Sequence, residues 1–519
     1  MESRGIIDRR KGIDAIVIAL LGLGTLLSRL PFRATLLNTH DAVNYALALE
    51  HFDMRLHQPQ PPGYPLYVLL GRAFDLILND HLAALIWLSM VFSGLAAIAI
   101  YLGGKELFGR RAGIVAALLV VTSSPFWEQG ELPAPYAIDL FFSAMVGWLC
   151  YRLITSEGSR AVWSAALALG FAGAFRLQTI MVLFPLFLYA LHRRNWRTIA
   201  GAIAIAGTVF GLFFVPAVMI SGGPAAFLQA MRTTVPIFYS ASTLVRSAQG
   251  SRFVANLVNI LRYTFVTLGE LALPLVLLGY LSCTRSLLFW RDARIRFLAL
   301  WLLPTWVLYF LIWPGNLGTI LVCMPPAFLL AGKGLDWVLG RAGWIRAAGY
   351  AFLAVLLAWC VVLFCLLPQR PFGDAYRSFS NYASIAQQDA FQAAKLSLVQ
   401  EVPVEGTIVY ANSFRVLQYY LPQYRTFSPP SLYRSDPTRV KAIVSIQDGL
   451  LENWSGIPVT TLIPPGTKRI VLYDLPPEAL VADPSLVEER EEDGYAIRIV
   501  SVPAAANVLW TLEGLQITL

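Results

Sequence analysis

The sequence predicts a polytopic α-helical membrane protein that ends in a soluble, mixed α/β domain. Three observations predict it. Of the 519 residues, 57% are apolar and only 14% are charged, whereas a soluble chain carries about a quarter charged residues. Mean hydropathy is +0.60. The shortage of charge is also uneven. From Ile13 to Leu367 charges fall in small clusters between long apolar runs, and after Pro368 the text becomes ordinary globular sequence. We divide the chain into a membrane body, 1–367, and a tail, 368–519, long enough for its own core.

The net charge of +8 does not point to nucleic acid, because the Lys and Arg residues sit in short loops beside apolar runs and so report topology. The five cysteines, Cys150, Cys283, Cys323, Cys360 and Cys365, all precede the tail. The tail therefore has no disulfide, and no CxxC pair suggests zinc. The first apolar run, Ile16 to Leu30, follows Arg9, Arg10 and Lys11 and lacks a small-residue cleavage site before Asn38. It reads as a retained span.

About 20 apolar residues cross the hydrocarbon core. Eleven stretches qualify: 14–35, 82–102, 112–127, 134–153, 161–176, 177–191, 199–220, 258–282, 297–313, 317–332 and 346–367. A twelfth candidate, Pro62 to Leu78, is decided by the bias of basic residues towards the cytoplasm. With a cytoplasmic N-terminus and 62–78 not crossing, every cluster falls inside: Arg9, Arg10 and Lys11; Lys105, Arg110 and Arg111; Arg152 and Arg160; Arg193, Arg194 and Arg197; Arg285, Arg291, Arg294 and Arg296; Lys333, Arg341 and Arg346. The short outer loops 128–133 and 314–316 hold none. We read 62–78 as an interfacial helix. The loops 38–81 and 221–257 and the tail then lie outside.

From Asp41 to Arg55 the pattern is helical. Ala42, Tyr45, Ala46, Leu49 and Phe52 form an apolar stripe, and Asp41, Asn44, His51 and Arg55 a polar one. Asp41 is either the helix N-cap or a general base at the membrane boundary, where partial desolvation raises basicity. The two roles compete for the same lone pairs.

The order of an outer-loop Asp41, the string HQPQPPGYPLYVLLGR, a span, KELFGRRAG, and a span ending in SSPFWEQGELPAPYAIDLFFSA resembles the GT-C membrane glycosyltransferases. The resemblance is to the protein O-mannosyltransferase-like and lipid A aminoarabinose transferase-like branch. It covers roughly the first 200 residues well, and 201–367 only by span pattern and the string WPGNLGTILVCMPPAFLLAG. It implies a GT-C fold in a plasma (inner) membrane. It also implies an inverting transfer of sugar from a polyprenyl-phosphate donor to an acceptor outside the cytoplasm, with Asp41 as the catalytic carboxylate. Relatives often carry a second acid beside the first; here His40 and Ala42 flank it.

The turn Trp127 to Tyr136 joins two spans on the outer side and carries Glu128 and Glu131. Such carboxylates are costly unless water, a cation or a substrate meets them. They are a solvated turn or, as the resemblance implies, an acceptor-side site, with Glu131 ahead of Glu128. Asp139 lies one turn into the next span. Arg176 stands alone between two apolar runs. It either snorkels to headgroups or grips the donor phosphate, whose charge grows during displacement. His57, Arg72, Tyr64 and Gln178 are its candidate helpers. No cofactor is required by these residues; a divalent cation between Asp41 and Glu131 is left open, without ligand spacing to argue for it.

In the tail, 406–411, 442–445, 469–473 and 495–502 read as strands and 376–400 and 413–420 as helices. Asn453-Trp-Ser matches a glycosylation triplet, a short pattern frequent by chance. No catalytic motif appears there, so the tail is expected to orient the acceptor or cover the site. Besides the lipid-linked donor and membrane lipids, no partner is read, and the acceptor is a protein, lipid or glycan. Two other classes fit the composition: a transporter or flippase, for which no internal repeat is evident, and a non-catalytic scaffold, which would leave Asp41, Glu131 and Arg176 scattered.

Overall fold

Apolar runs longer than a bilayer is thick form the longest helices of the chain. The computed structural model describes residues 2–240, 246–247, 250–269, 272–283, 292–312, 315–368, 380–428, 431–432, 440–442, 453–455, 461–462, 466–475, 480–481, 484–504, 507–511 and 514–518. The body comprises α1 (Glu2–Arg29), α2 (His40–Glu50), α3 (Pro65–Leu78), α4 (His81–Phe108), α5 (Arg110–Thr122), α6 (Ser124–Gln129), α7 (Tyr136–Thr155), α8 (Ser159–Phe175), α9 (Leu177–Leu191), α10 (Trp196–Ile220), α11 (Gly223–Ser240), α12 (Arg252–Leu268), α13 (Leu273–Cys283), α14 (Ala293–Leu311), α15 (Pro325–Leu339) and α16 (Trp344–Cys365). Polar caps set several of the helix starts. Asp80 accepts from the Ala83 amide at 3.1 Å ahead of α4, and Asn195 from the Thr198 amide at 2.9 Å ahead of α10.

Among the described residues, six helical stretches are long and apolar enough to cross a membrane: 12–32, α4, α7, α10, α14 and α16. The number reaches eight if two bent pairs each count as one span. These are α12 with α13, bent by 88°, and the 3-10 segment Leu317–Cys323 with α15, bent by 66°. The eleven stretches read from sequence divide accordingly. The run 112–127 breaks at Ser123 into α5 and α6, and the runs on either side of Arg176 become α8 and α9, of 17 and 15 residues. At 1.5 Å per residue α5, α8 and α9 reach about 20–26 Å, short of a core of about 30 Å.

The segment 62–78 folds as α3, only 14 residues long. Its Arg72 donates to the carbonyls of Leu49 and Ala48 at 2.8 and 2.9 Å, tying α3 to the end of α2. Leu76 and Ile77 at its far end are exposed, as suits a helix touching lipid.

Opposite ends of the bundle differ in charge. At one end Asp14 pairs with Lys105 and Arg110, Arg111 with Asp336, and Arg194 donates to the Glu157 carbonyl. These are loops read as cytoplasmic; Arg285 and Arg291 lie outside the described residues. The other end carries residues 30–41, the turn 123–135 and the tail.

In the tail, α17 (Tyr382–Gln400) and α18 (Phe414–Tyr420) accompany a five-stranded sheet. Its strands are β1 (Thr407–Tyr410), β2 (Arg425–Phe427), β3 (Arg469–Leu472), β4 (Val487–Glu492) and β5 (Tyr495–Ser501). The order is β4-β5-β3-β1-β2, with β2, β1 and β3 parallel and β5 and β4 antiparallel. Alternation splits the strands between two cores: Ile408, Tyr410, Ile470 and Leu472 on one face, and Val409, Ala411 and Val471 on the face shared with α17 and α18. The predicted segments 376–379 and 443–445 lie outside the described residues, and Asn453–Ser455 is a short strand.

Close packing between α7 and α14 rests on one missing side chain. A Cβ at Gly147 would stand 2.2 Å from the Trp301 ring. That ring is fully buried and donates to Ser143 Oγ at 2.8 Å, so it cannot step aside. Gly147→Ala should cost about 1–3 kcal/mol and lower the thermal unfolding midpoint of the purified protein; an unchanged midpoint would contradict this packing.

Candidate active site

The chain leaving α1 turns back towards the bundle, and the first residues of α2 meet the turn 129–136. Between them lies a cavity of about 300 Å³, with Asn38, Asp41, Tyr45, Gln129, Tyr136 and Asn316 in its wall. The cap of α2 decides what Asp41 can do. Thr39 is the N-cap, its Oγ1 accepting from the Ala42 amide at 3.2 Å. Asp41 sits two residues further on with its carboxylate spared from capping. Among the described residues it takes part in no hydrogen bond or salt bridge, and its side chain opens to the cavity. The mass of protein around that opening still pushes the carboxyl above its ordinary range, against the opposing pull of the Arg176 charge.

The remainder of α2 follows the predicted stripe on its apolar side, with Ala42, Tyr45, Ala46 and Leu49 buried. The helix ends at Glu50 rather than Arg55, because Asp53 caps a 3-10 turn over Met54–Leu56. Asn44 is fully buried, facing Gln60, instead of lying on the polar side. Tyr45, one turn beyond Asp41, meets Tyr64 and Tyr67 edge to face at 5.2 and 4.9 Å and accepts from Gln60 Nε2 at 3.1 Å. Of these rings, that of Tyr45 lines the cavity, and the other two pack behind it.

Arg176 links α8 and α9 in extended backbone and is buried. Its Nη1 donates to Asp139 Oδ2, and Thr179 Oγ1 donates to Asp139 Oδ1 at 2.5 Å. Its guanidinium carbon lies 5.1 Å from the centre of the Tyr136 ring. Asp139, whose burial had no explanation in the sequence, is the counter-ion of Arg176. Among the described residues the guanidinium Nε is buried without a hydrogen-bond partner, and the same holds for Gln129 Oε1 and Gln178 Oε1.

Tyr136 forms the wall opposite α2. Its hydroxyl accepts from Asn316 Nδ2 at 3.0 Å. Its ring lies flat against Gly318, where a Cβ would come within 2.4 Å.

The two acids of the turn face elsewhere. Glu131 is fully buried behind the wall and accepts from Trp127 Nε1 at 2.7 Å. Burial holds its carboxyl well above the usual range, opposed by the charge of Arg29. Glu128 is half-buried and accepts from Gln129 Nε2 at 3.1 Å; burial raises it as well. Asp41 and Arg176 therefore share one region and Glu131 does not face it, so Asp41 and Glu131 form no ligand pair. Among the described residues no group of three or more His, Cys, Asp or Glu gathers as a metal site. Of the four helpers, Tyr64 and Gln178 lie near Arg176. Arg72 is committed to α2, and His57 closes the 3-10 turn with a left-handed φ of 54°. Asn38, Gln129, Tyr136 and Asn316 were missed. Gln129 lies between the two acids and Tyr136 closes the same turn, but only the fold brings Asn316 to them.

A family described as dolichyl-phosphate-mannose-protein mannosyltransferase matches residues 59–220. No curated protein matches the chain in sequence. Among solved structures, the chain is similar to ArnT from Cupriavidus metallidurans bound to undecaprenyl phosphate, at 13% identity and a TM-score of 0.56, covering 94% of this chain and 98% of that one. Apo ArnT from the same organism gives 14% and 0.54 over 96% and 99%. The archaeal oligosaccharyltransferase AglB from Archaeoglobus fulgidus, in complex with an inhibitory peptide and a dolichol-phosphate, gives 12% and 0.51 over 89% and 69%. At such identities the likeness is one of fold: the chain adopts the fold of these ArnT and AglB structures.

Removing one partner of a buried ion pair strands the other, at about 3–5 kcal/mol. Arg176→Gln and Asp139→Asn should each lower the unfolding midpoint, and the double variant should lose clearly less than the sum. Strict additivity in that cycle would mean the pair does not act as one unit.

Proposed function

We propose that this protein is an inverting glycosyltransferase that moves a single sugar from a polyprenyl-phosphate donor to an acceptor at the outer face of the plasma membrane. One observation carries the reading. The unpaired carboxylate of Asp41 opens into a cavity within electrostatic reach of the buried Arg176 guanidinium. The fold supports it, since the ArnT and AglB structures above hold undecaprenyl phosphate and a dolichol-phosphate. A volume of about 300 Å³ is at the small end for ligand pockets, about 300–1,000 Å³, and suits one sugar unit. The amides of Asn38, Gln129 and Asn316 can meet its hydroxyls and the tyrosine rings its C–H faces.

In this mechanism Asp41 takes the proton from the acceptor hydroxyl as that oxygen bonds to the anomeric carbon. The bond from that carbon to the phosphate oxygen breaks, and its electron pair leaves with the polyprenyl phosphate. Attack and departure occur on opposite faces, so the configuration inverts. Arg176 meets the charge that gathers on the phosphate; Asp139 and Thr179 hold the guanidinium in place, and its unpartnered Nε is a donor still unspent. We assign Glu131 to bracing the turn through Trp127, and Glu128 to orienting Gln129 at the cavity edge.

The test uses the purified full chain in nanodiscs with a panel of undecaprenyl-phosphate-linked monosaccharides, reading release of undecaprenyl phosphate by mass spectrometry. Asp41→Asn should lower turnover by about 10²–10⁴-fold with an unchanged unfolding midpoint. Retained turnover would remove Asp41 as the base.

The rate should also depend on pH in one direction. A general base works only when deprotonated, and burial raises Asp41 above its ordinary value of 3.8. Turnover should therefore rise with pH through a midpoint above that value, and a rate that falls over the same interval would contradict the assignment.

A further inference from the structure

The tail is tied to the segment that delivers Asp41, and the tie has a chemical direction. Asp389, on α17 and buried, accepts three hydrogen bonds from the chain between α1 and α2. They come from the Thr35 amide at 2.6 Å, the Thr35 hydroxyl at 2.8 Å and Asn38 Nδ2 at 2.6 Å. The Leu37 amide donates to the Tyr420 hydroxyl of α18 at 2.8 Å. Further along, the His40 ring meets Phe414 edge to face at 5.3 Å, and Arg415 donates to the Leu56 carbonyl at 2.8 Å. Every residue from 35 to 38 that is bound in this way lies within six positions of Asp41.

We propose that Asp389 is a positioning residue for the reaction, one that makes the tail a working part of the active site by fixing both the approach to Asp41 and the orientation of the Asn38 amide. An amide side chain offers a donor on one arm and an acceptor on the other, and a carboxylate only accepts. Asp389 therefore forces Asn38 to turn its Nδ2 away from the cavity it lines, leaving Oδ1 as the atom available to a ligand. A hydroxyl donor on the bound sugar or acceptor is matched by that wall. Asp389→Asn removes the compulsion, because an amide at 389 can meet either arm.

The inference rests on Asp41 as the base, so its test includes readouts that do not. In the full chain, Asp389→Asn should speed hydrogen exchange of amides 35–42 at least tenfold and leave the sheet amides and the unfolding midpoint unchanged. On the same undecaprenyl-phosphate sugar panel it should lower kcat by about 10–100-fold, the scale of a displaced reacting group, with KM for the donor within about twofold. In an Asn38→Ala background the same substitution should cost clearly less. If Asp389→Asn does not fold, Tyr420→Phe removes only the acceptor for the Leu37 amide, and exchange at that amide must still accelerate. Wild-type exchange over 35–42 overturns the proposal whatever the turnover, and so does an equal loss of kcat with and without Asn38. Turnover that survives Asp41→Asn overturns the base assignment alone.

Discussion

A charge placed at the level of a membrane persists only if it is paired or wet, and this constraint sorts the carboxylates of the body. Asp14 is paired with Lys105 and Arg110, Asp336 with Arg111 and Lys333, Asp139 with Arg176, and Asp53 with Arg55. Glu131 is buried against an indole N–H, in the field of Arg29. Asp41 stands apart, because it opens to a cavity and no side chain holds it. Thr39 makes that possible by taking the cap two residues earlier. Had Asp41 capped α2, its lone pairs would be spent on backbone amides and it could not serve as the proposed base.

That arrangement needs the chain ahead of α2 to be fixed, and the body contributes the bond from the Ala34 amide to the Glu131 carbonyl at 3.2 Å. Residues 35–38 lie between two helices without regular structure of their own. Their polar groups find partners in α17 and α18 more than 350 positions away. A buried polar network of this kind specifies one geometry because each member lost leaves another unpaired. In the proposal above, the tail acts through that network rather than through groups of its own.

Much of this could be read from the sequence, and the boundary is physical. Apolar runs with polar ends report long helices because their burial is dictated by lipid, whatever their neighbours. α3 could be placed beside rather than across the membrane from charge bias and its prolines. Asp41 and Arg176 stood out because charges are rare in such text. What escaped depended on partners far along the chain. Glu131 and Gln129 are two positions apart in one turn, and nothing local says which faces inwards. Asn44 sits on the polar side of an ideal helix, yet Gln60 and the following loop enclose it. Asn316 reaches the site only because α14 and the 3-10 segment return to Tyr136.

Arg176 shows how one distant partner settles a question that spacing leaves open. A lone arginine between apolar runs could reach out to headgroups, and a snorkelling side chain would be extended and exposed. Here it is folded inwards, with α8 and α9 each too short to carry it across a full bilayer core. Asp139 stands 37 positions earlier on α7 and takes one of its five N–H groups. A guanidinium held at one corner is oriented, and its remaining donors point where the frame dictates. The donors left over are fixed in advance and, in the proposed mechanism, need no reorganisation when charge arrives on the phosphate. A free arginine would have to be ordered at that moment, at the expense of its rotamer entropy. In the proposed mechanism the counter-ion is thus part of the anion site, holding in place the guanidinium that would meet the donor's phosphate.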